Sequence, residues 1–393
     1  MLFALAGAFA LSQAFRTVTA MMAGQLQAEF SLSPQQLGVF AATFHLSFGL
    51  MQIVMGIGID LHGVRRTMLF AFPVAVLGAL VSALSTRFEW VVAGQAMVGA
   101  GCAPAFLVCT VFISREFPAA RFAAVSGLVM GIGGLGMLIT ATPLAWVVQH
   151  YSWRVAFEVL AAASALAWLA VFVLAHEAPR SHEAPRESVA VAVREFGTLL
   201  KLPHTWGILA LASVTYASFI TLRGLWLGPL LTDKYGMGLI HSGNVALVVS
   251  VVSLFGPPLF GRMDPKGARR RPFIVGMTLS MVAVFVLLTW TANSGIAVGL
   301  ILLLAFLSGY IVLQYADVRR SYAPATTGRA LSLFTMAMFL GIALMQWFTG
   351  LAATLATHVG VDPFAAALGA TAALLVVGVA AFRFLPAPVA VAG

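Results

Sequence analysis

The sequence predicts an all-α polytopic membrane protein, twelve transmembrane helices arranged as two pseudo-symmetric six-helix bundles, and three observations predict it. Of the 393 residues, 61% are hydrophobic and 9% charged, with a mean hydropathy of +0.98, whereas roughly a quarter of the residues of a soluble domain are charged. The apolar residues gather into runs of about 20, the length a helix needs to cross a hydrocarbon layer. A polar turn between two of these runs returns 204 positions later, as an internal duplication requires.

Taken in order, helices are expected near 3–26, 35–58, 67–86, 89–113, 122–148 and 154–175, then near 204–231, 241–260, 272–291, 295–316, 329–355 and 364–384. Between the two sets lies HEAPRSHEAPRESVAVAVREFGTLLKLP, residues 176–203, the one long stretch of soluble composition. It divides the chain into an N-terminal bundle (1–175), a cytoplasmic linker (176–203) and a C-terminal bundle (204–393). Within it, 188–200 reads as a short amphipathic helix lying on the membrane surface. The first apolar run is too long for a cleavable signal and has no basic leader, so it is read as a retained first helix.

The recurring turn reads GIGIDLHGVRR at 56–66 and FGRMDPKGARR at 260–270. Asp60 falls on Asp264, Gly63 on Gly267, Arg65 on Arg269 and Arg66 on Arg270. Glycine permits a tight reversal, the carboxylate near a helix end can accept from a neighbouring helix N-terminus, and the arginines remain in the charged interface as forked donors. The plainer reading is a basic cytoplasmic loop; four identities in register argue for more. The first copy, with Gly56, Asp60, Gly63, Arg65 and Arg66, resembles the loop between helices 2 and 3 of the major facilitator superfamily. That resemblance implies a secondary transporter whose two parallel halves open a central site alternately to either side. Further echoes fit: Arg115 aligns with Arg319 at the same offset, and Ser126 with Ser332 at 206. The fifth helix carries Gly127, Gly131, Gly133, Gly134 and Gly136, similar to the family's glycine-rich fifth helix, although close helix packing alone accounts for such a run.

Most of the 22 Lys and Arg residues fall on one side of these helices, leaving Arg87, Arg154 and Lys234 on the other. Under the positive-inside rule this places both termini in the cytoplasm, as expected of a multi-pass protein of a bacterial inner membrane. The net charge of +9 is thereby explained by loops facing anionic headgroups, and no nucleic-acid partner is implied. Cys102 and Cys109 read as small packing residues; neither a disulfide framework nor a metal pattern is present. No cofactor is expected.

Two arginines belong to neither side. Arg16 and Arg223 fall near the middle of the first helix of each half, 22 and 20 residues before Gly38 and Gly243. A guanidinium at a helix centre costs about 2.5–3.5 kcal/mol on insertion scales, so it faces a wet cavity or a partner rather than lipid. A buried ion pair is the plain alternative, but within the helices the acids are few: Glu158, and Asp317 near an end. A bound anion would give both guanidinium groups an acceptor. Tyr216, Phe219, Arg223 and Trp226, spaced by four, four and three, are expected on one helical face, fitting an anion with an apolar or aromatic body. His45 is the one histidine well inside a span, either a hydrogen-bonded packing residue or a proton relay. Gln314 and Gln346 are candidate cavity contacts, since a buried amide is costly to leave unsatisfied. The family commonly has an arginine four residues before a glycine in the fourth helix; here Gln95 precedes Gly99, which removes the basis for a drug–proton antiport mechanism.

The expected function is secondary active transport of a small organic anion, with a proton as candidate co-substrate, by a monomer. No ATP-binding loop or catalytic domain appears, so the chain is not expected to be an enzyme. An exporter of hydrophobic or cationic compounds would need an acidic cavity residue, for which Glu158 is the candidate. A non-transporting sensor or lipid-handling scaffold would tolerate loss of both arginines.

Overall fold

The computed structural model describes residues 1–175, 197–265, 269–323 and 326–387, with the side chains of 60, 114–115 and 119–124 left aside. The linker's 176–196, and with them most of the proposed surface helix, lie outside the described residues, as do Lys266 and Gly267. The described chain is nearly all helix. Eleven helices are long and apolar enough to cross a membrane: α2 (Pro34–Ile59), α3 (Leu61–Leu84), α4 (Phe88–Ile113), α5 (Val125–His150), α6 (Trp153–Leu174), α7 (Pro203–Lys234), α8 (Leu239–Arg262), α9 (Arg270–Trp290), α10 (Ser294–Ser321), α11 (Thr327–His358) and α12 (Pro363–Phe384). The twelfth, α1, is a bent pair, Leu2–Phe15 and Thr19–Phe30, meeting at 45°. Large apolar side chains such as Phe70, Leu166 and Phe255 stand exposed along these helices, where hydrocarbon rather than water would cover them. Trp90, Tyr151, Trp206 and Trp290 are exposed near helix ends, the level at which amphipathic rings favour the bilayer interface.

Two compact units emerge. The first comprises Met1–Leu32, Val39–Glu187 and Gly238–Leu247, the second Ser33–Gly38, Ser188–Met237 and Val248–Gly393. In the first unit α5 crosses α1 at its glycines: a side chain at Gly133 would strike the Phe9 ring, and a Cβ at Gly136 would lie 1.7 Å from the Ala10 carbonyl oxygen. Gly127 and Gly131 face open space, so only part of the glycine run serves packing. In the second unit the same crossing recurs between α11 and α7, where a Cβ at Gly341 would lie 1.9 Å from the Ser213 carbonyl.

Helices α1, α5 and α7, expected to be regular, are not. α1 breaks at Arg16–Val18; there the Thr17 hydroxyl turns back to the Ala14 carbonyl at 3.4 Å and pairs with the Thr140 hydroxyl at 2.6 Å. Thr140 itself lies at a break in α5, between Ile139 and Thr142. Side-chain hydroxyls that satisfy backbone groups are what make such breaks tolerable in an apolar medium. In α7 the helix widens to π geometry over Leu222–Trp226 and again over Leu230–Lys234. Single π turns of this kind commonly mark functional positions.

The repeated loops are also built differently from each other. In the first turn of α3, Gly63 adopts φ 91° and ψ 169°, a conformation essentially confined to glycine. Its neighbour Arg65 donates to the Phe172 carbonyl of α6 at 2.9 Å, while Arg66 is exposed. In the second copy Arg270 is 3% exposed and binds Asp264 through two donors, Nε at 2.7 Å, with Nη1 on the Ala316 carbonyl. The acid here accepts from Arg270 at the start of α9. Arg269 is exposed.

Candidate functional site

In the first unit the break in α1 places Arg16 inside the bundle with 7% of its surface exposed. Its guanidinium carbon sits 4.7 Å from the centre of the Phe48 ring of α2, a cation–π contact that strengthens as water is excluded. Ser12, one turn earlier on α1, meets the buried Cys102 of α4, which also feels the Arg16 charge. His45 is 1% exposed, with Nδ1 3.2 Å from the carbonyl of Ala41 in its own helix and its ring edge-on to Phe44. Two buried amide oxygens, Oε1 of Gln13 and of Gln95, have no hydrogen-bond partner among the described residues.

In the second unit Arg223 is fully buried and its Nε donates to Ser250 of α8 at 3.2 Å. Trp226 turns elsewhere: Nε1 donates to the Thr349 hydroxyl of α11 at 3.0 Å, and the ring packs edge-on to Phe364 of α12. The π turn widens the spacing between them, so the single face expected for Arg223 and Trp226 is divided between different neighbours. Tyr216 is half-buried and Phe219 buried. Gln346 is fully buried, and its backbone carbonyl lies against Gly38 of the unit's α2 segment. Gln314 donates to the Thr215 hydroxyl at 3.0 Å and to Tyr310 at 3.3 Å, while its Oε1 is without a partner among the described residues.

The two arginines are related less simply than their spacing suggested. Measured from the shared crossings, Arg16 lies six residues past Ala10, and Arg223 ten past Ser213. Arg223 therefore stands one turn further along its helix, and the position in the repeat equivalent to Arg16 is held by Phe219. Sequence reasoning passed over Ser12, Phe48, Ser250, Thr215 and Tyr310, and read Cys102 only as a packing residue. Ser12, at helical spacing from Arg16, and Thr215, eight residues before Arg223 on the same helix, carried a local signal; the others come from helices whose facing side was unknown. Glu158, the acid on which an exporter of cations would rely, is exposed on α6.

A polytopic helical protein with interrupted first helices and buried charges at the interruptions is built as a secondary transporter. The Major Facilitator Superfamily model matches residues 5–344, and the chain belongs to that family. It is 23% identical over 315 residues to the hexuronate transporter of Bacillus subtilis (strain 168), covering 77% of this chain and 72% of that one. Its fold is similar to that of a bacterial homolog of the human lysosomal transporter Spinster in an inward-facing, unoccupied conformation (TM-score 0.75, 18% identity, 97% of this chain and 94% of the other). The D-xylose-proton symporter has the same fold (TM-score 0.74, 15% identity, 98% of each chain). The chain is thus a membrane transporter and not an enzyme.

Proposed function

We propose that this transporter carries a small hydroxylated carboxylate of the hexuronate type. The observation that carries the reading is a buried arginine at an interrupted turn in the first helix of each half. A guanidinium offers a carboxylate two parallel donors, and burial makes each bond count for more than it would in water. The amide oxygens of Gln13, Gln95 and Gln314, which have no hydrogen-bond partner among the described residues, favour a cargo that brings hydroxyl donors, which shifts the preferred body from aromatic to hydroxylated. Similarity to a hexuronate transporter supports the same class. Arg16 and Arg223 would recognise the anion, with His45, Tyr216, Gln314 and Gln346 contributing polar contacts. Trp226, held by Thr349, would support the position of Arg223. The glycine and arginine loops around Gly63 and Arg270 would control opening, in an inner-membrane protein with cytoplasmic termini.

The test is uptake into proteoliposomes holding the purified protein. Radiolabelled D-glucuronate is compared with D-glucose, which has an alcohol where glucuronate has its carboxylate, and with a tetraphenylphosphonium cation. Glucuronate should be taken up in preference to both. Arg16→Ala or Arg223→Ala should each lose a charged hydrogen bond of about 1.5–3 kcal/mol, a roughly ten- to hundredfold fall in affinity, with incomplete recovery by lysine. Uptake confined to the cation, or glucuronate transport unchanged in both variants, would overturn the reading.

A further inference from the structure

One buried side chain of the second unit is held in a single orientation by hydroxyl groups whose hydrogens are already committed. The Thr215 hydroxyl of α7 donates to the Leu211 carbonyl of its own helix at 2.7 Å, and the Thr278 hydroxyl of α9 donates to the Ile274 carbonyl at 2.9 Å. Thr278 therefore has only lone pairs to offer the Tyr310 hydroxyl, 2.5 Å away, and Tyr310 of α10 is the donor of that bond. The competing bond from Tyr310 to Thr215 is far longer, at 3.5 Å. What Thr215 and Tyr310 have left is acceptor capacity. Gln314, one turn further along α10, fills it through its amide nitrogen, at 3.0 Å to Thr215 and 3.3 Å to Tyr310. Turning the amide over would set oxygen against oxygen unless Thr215 and Tyr310 withdrew their hydrogens from Leu211 and Thr278. Gln314 Oε1 is thereby left as a fixed acceptor, with no partner among the described residues, on a residue 3% exposed.

Gln314 lines a narrow cleft together with Asp317, one turn later on α10, and with apolar side chains that include Ile208 of α7, Ile274 of α9, Phe334 of α11 and Phe382 of α12. The cleft has room for about one water molecule. Its two polar walls are both acceptors. The Asp317 carboxylate receives Arg271 of α9 at 3.1 and 3.4 Å, which balances its charge and leaves lone pairs over, since a carboxylate offers about four acceptor positions. Two acceptors, no surplus charge and room for one small molecule fit a neutral molecule with two hydrogens to give. A wholly apolar cleft would stay dry, whereas a buried acceptor without a donor is costly. The first unit is built differently at the corresponding positions. At the offset of 204 that aligns Arg115 with Arg319, Tyr310 and Gln314 fall on Phe106 and Thr110 of α4, and Thr278 falls on Val74 of α3. The Phe106 ring packs on Phe9 at 5.2 Å, and Thr110 turns its hydroxyl to the Leu107 carbonyl at 2.9 Å. The polar chain belongs to the second half rather than to the repeat.

We propose that this cleft is a binding site for one water molecule, which donates to Gln314 Oε1 and to the Asp317 carboxylate, and that Thr215 and Tyr310 are the positioning residues that turn the Gln314 oxygen toward it. The water completes a hydrogen-bonded tie from Thr278 through Tyr310 and Gln314 to the Arg271 pair, joining α7, α9 and α10 at one level. The site does not depend on which cargo the transporter carries. X-ray radiolytic labelling of the purified protein in detergent tests it, because hydroxyl radicals born from a bound water oxidise the side chains beside that water. Phe334 and Phe382 are 1% and 6% exposed; both should be oxidised several-fold faster than Phe285, which is fully buried on α9 and stands outside the walls of the cleft. Gln314→Leu should bring both rates down to that of Phe285. Thr215→Val, which keeps Gln314 but frees its amide to turn, should lower both several-fold, as expected when one hydrogen bond no longer biases the amide, and Thr215→Ser should keep the wild-type rates. Wild-type oxidation of Phe334 and Phe382 no faster than that of Phe285 would overturn the water site. Rates unchanged in Thr215→Val would overturn the positioning role. Oxidation that appears only when sodium is withdrawn from the buffer would assign the cleft to a cation and overturn the choice of water.

Discussion

In the first half of the molecule, Glu29 at the end of α1 accepts two hydrogen bonds from Arg154 at the start of α6, along with one from the Trp153 indole. In the second half, Lys234 at the end of α7 donates to Asp362 at the start of α12, at 2.8 Å. Both ties join the first helix of a half to its last, at corresponding places in the repeat, yet acid and base have changed sides. Position is therefore what the duplication preserved. A bundle of six helices needs its first and last members held together at this end, and Coulomb attraction serves equally well in either polarity. The same lesson holds for the interruptions. One half breaks α1 at Thr17 against Thr140 of α5, the other widens α7 and anchors Trp226 on Thr349 of α11. Each half interrupts its first helix with different side chains.

The comparison can be broken most forcefully at the helix crossings. Gly136→Val and Gly341→Val place carbon inside the reach of a backbone carbonyl that cannot withdraw, and each should cost at least about 3 kcal/mol, read as a large fall in thermal stability in detergent. Gly131→Ala and Gly276→Ala meet nothing within 4 Å and should be neutral or gain up to about 1 kcal/mol from helix propensity. Equal damage at all four would show that the crossings are not the shared framework.

A smaller effect sharpens the exchange of charges. Glu29→Arg or Arg154→Glu alone should destabilise by about 1 kcal/mol, since the pair is partly exposed and screened, and by somewhat more where the Trp153 bond is also lost. The double exchange, which gives the first half the polarity of the second, should recover most of the loss. The reciprocal exchange of Lys234 and Asp362 should behave in the same way. Failure of either double variant to recover would mean that neighbouring groups fix the polarity, with the Ser85 carbonyl that Arg154 also binds as the first suspect.

The smallest predicted effect is a pH dependence. Partial burial raises the Asp362 carboxyl pKa, but the Lys234 hydrogen bond and the backbone donors of Phe364 and Ala365 outweigh it and hold the group below its usual value. A depressed carboxyl contributes stability above its unfolded pKa and loses it as pH falls through the folded one. Asp362→Asn should therefore destabilise by about 0.5 kcal/mol at neutral pH, and the difference from wild type should fade below about pH 4. A difference that persists in strong acid would assign the effect to lost packing or capping in place of charge.

The amino-acid sequence by itself determined the membrane setting, the span positions to within a few residues, the duplication and the two mid-span arginines. These follow from apolar run length and from identities in register, signals that need no knowledge of neighbours. The tertiary structure alone decided which face each helix turns inward. That is why Phe48 and Ser250 come to rest against the arginines, and why Arg223 and Trp226 part company at a π turn. Helical spacing states which residues share a face; it cannot state what that face meets. Contact partners are fixed by the crossing of helices at Gly136 and Gly341, where two backbones come close enough for one side chain to exclude the other.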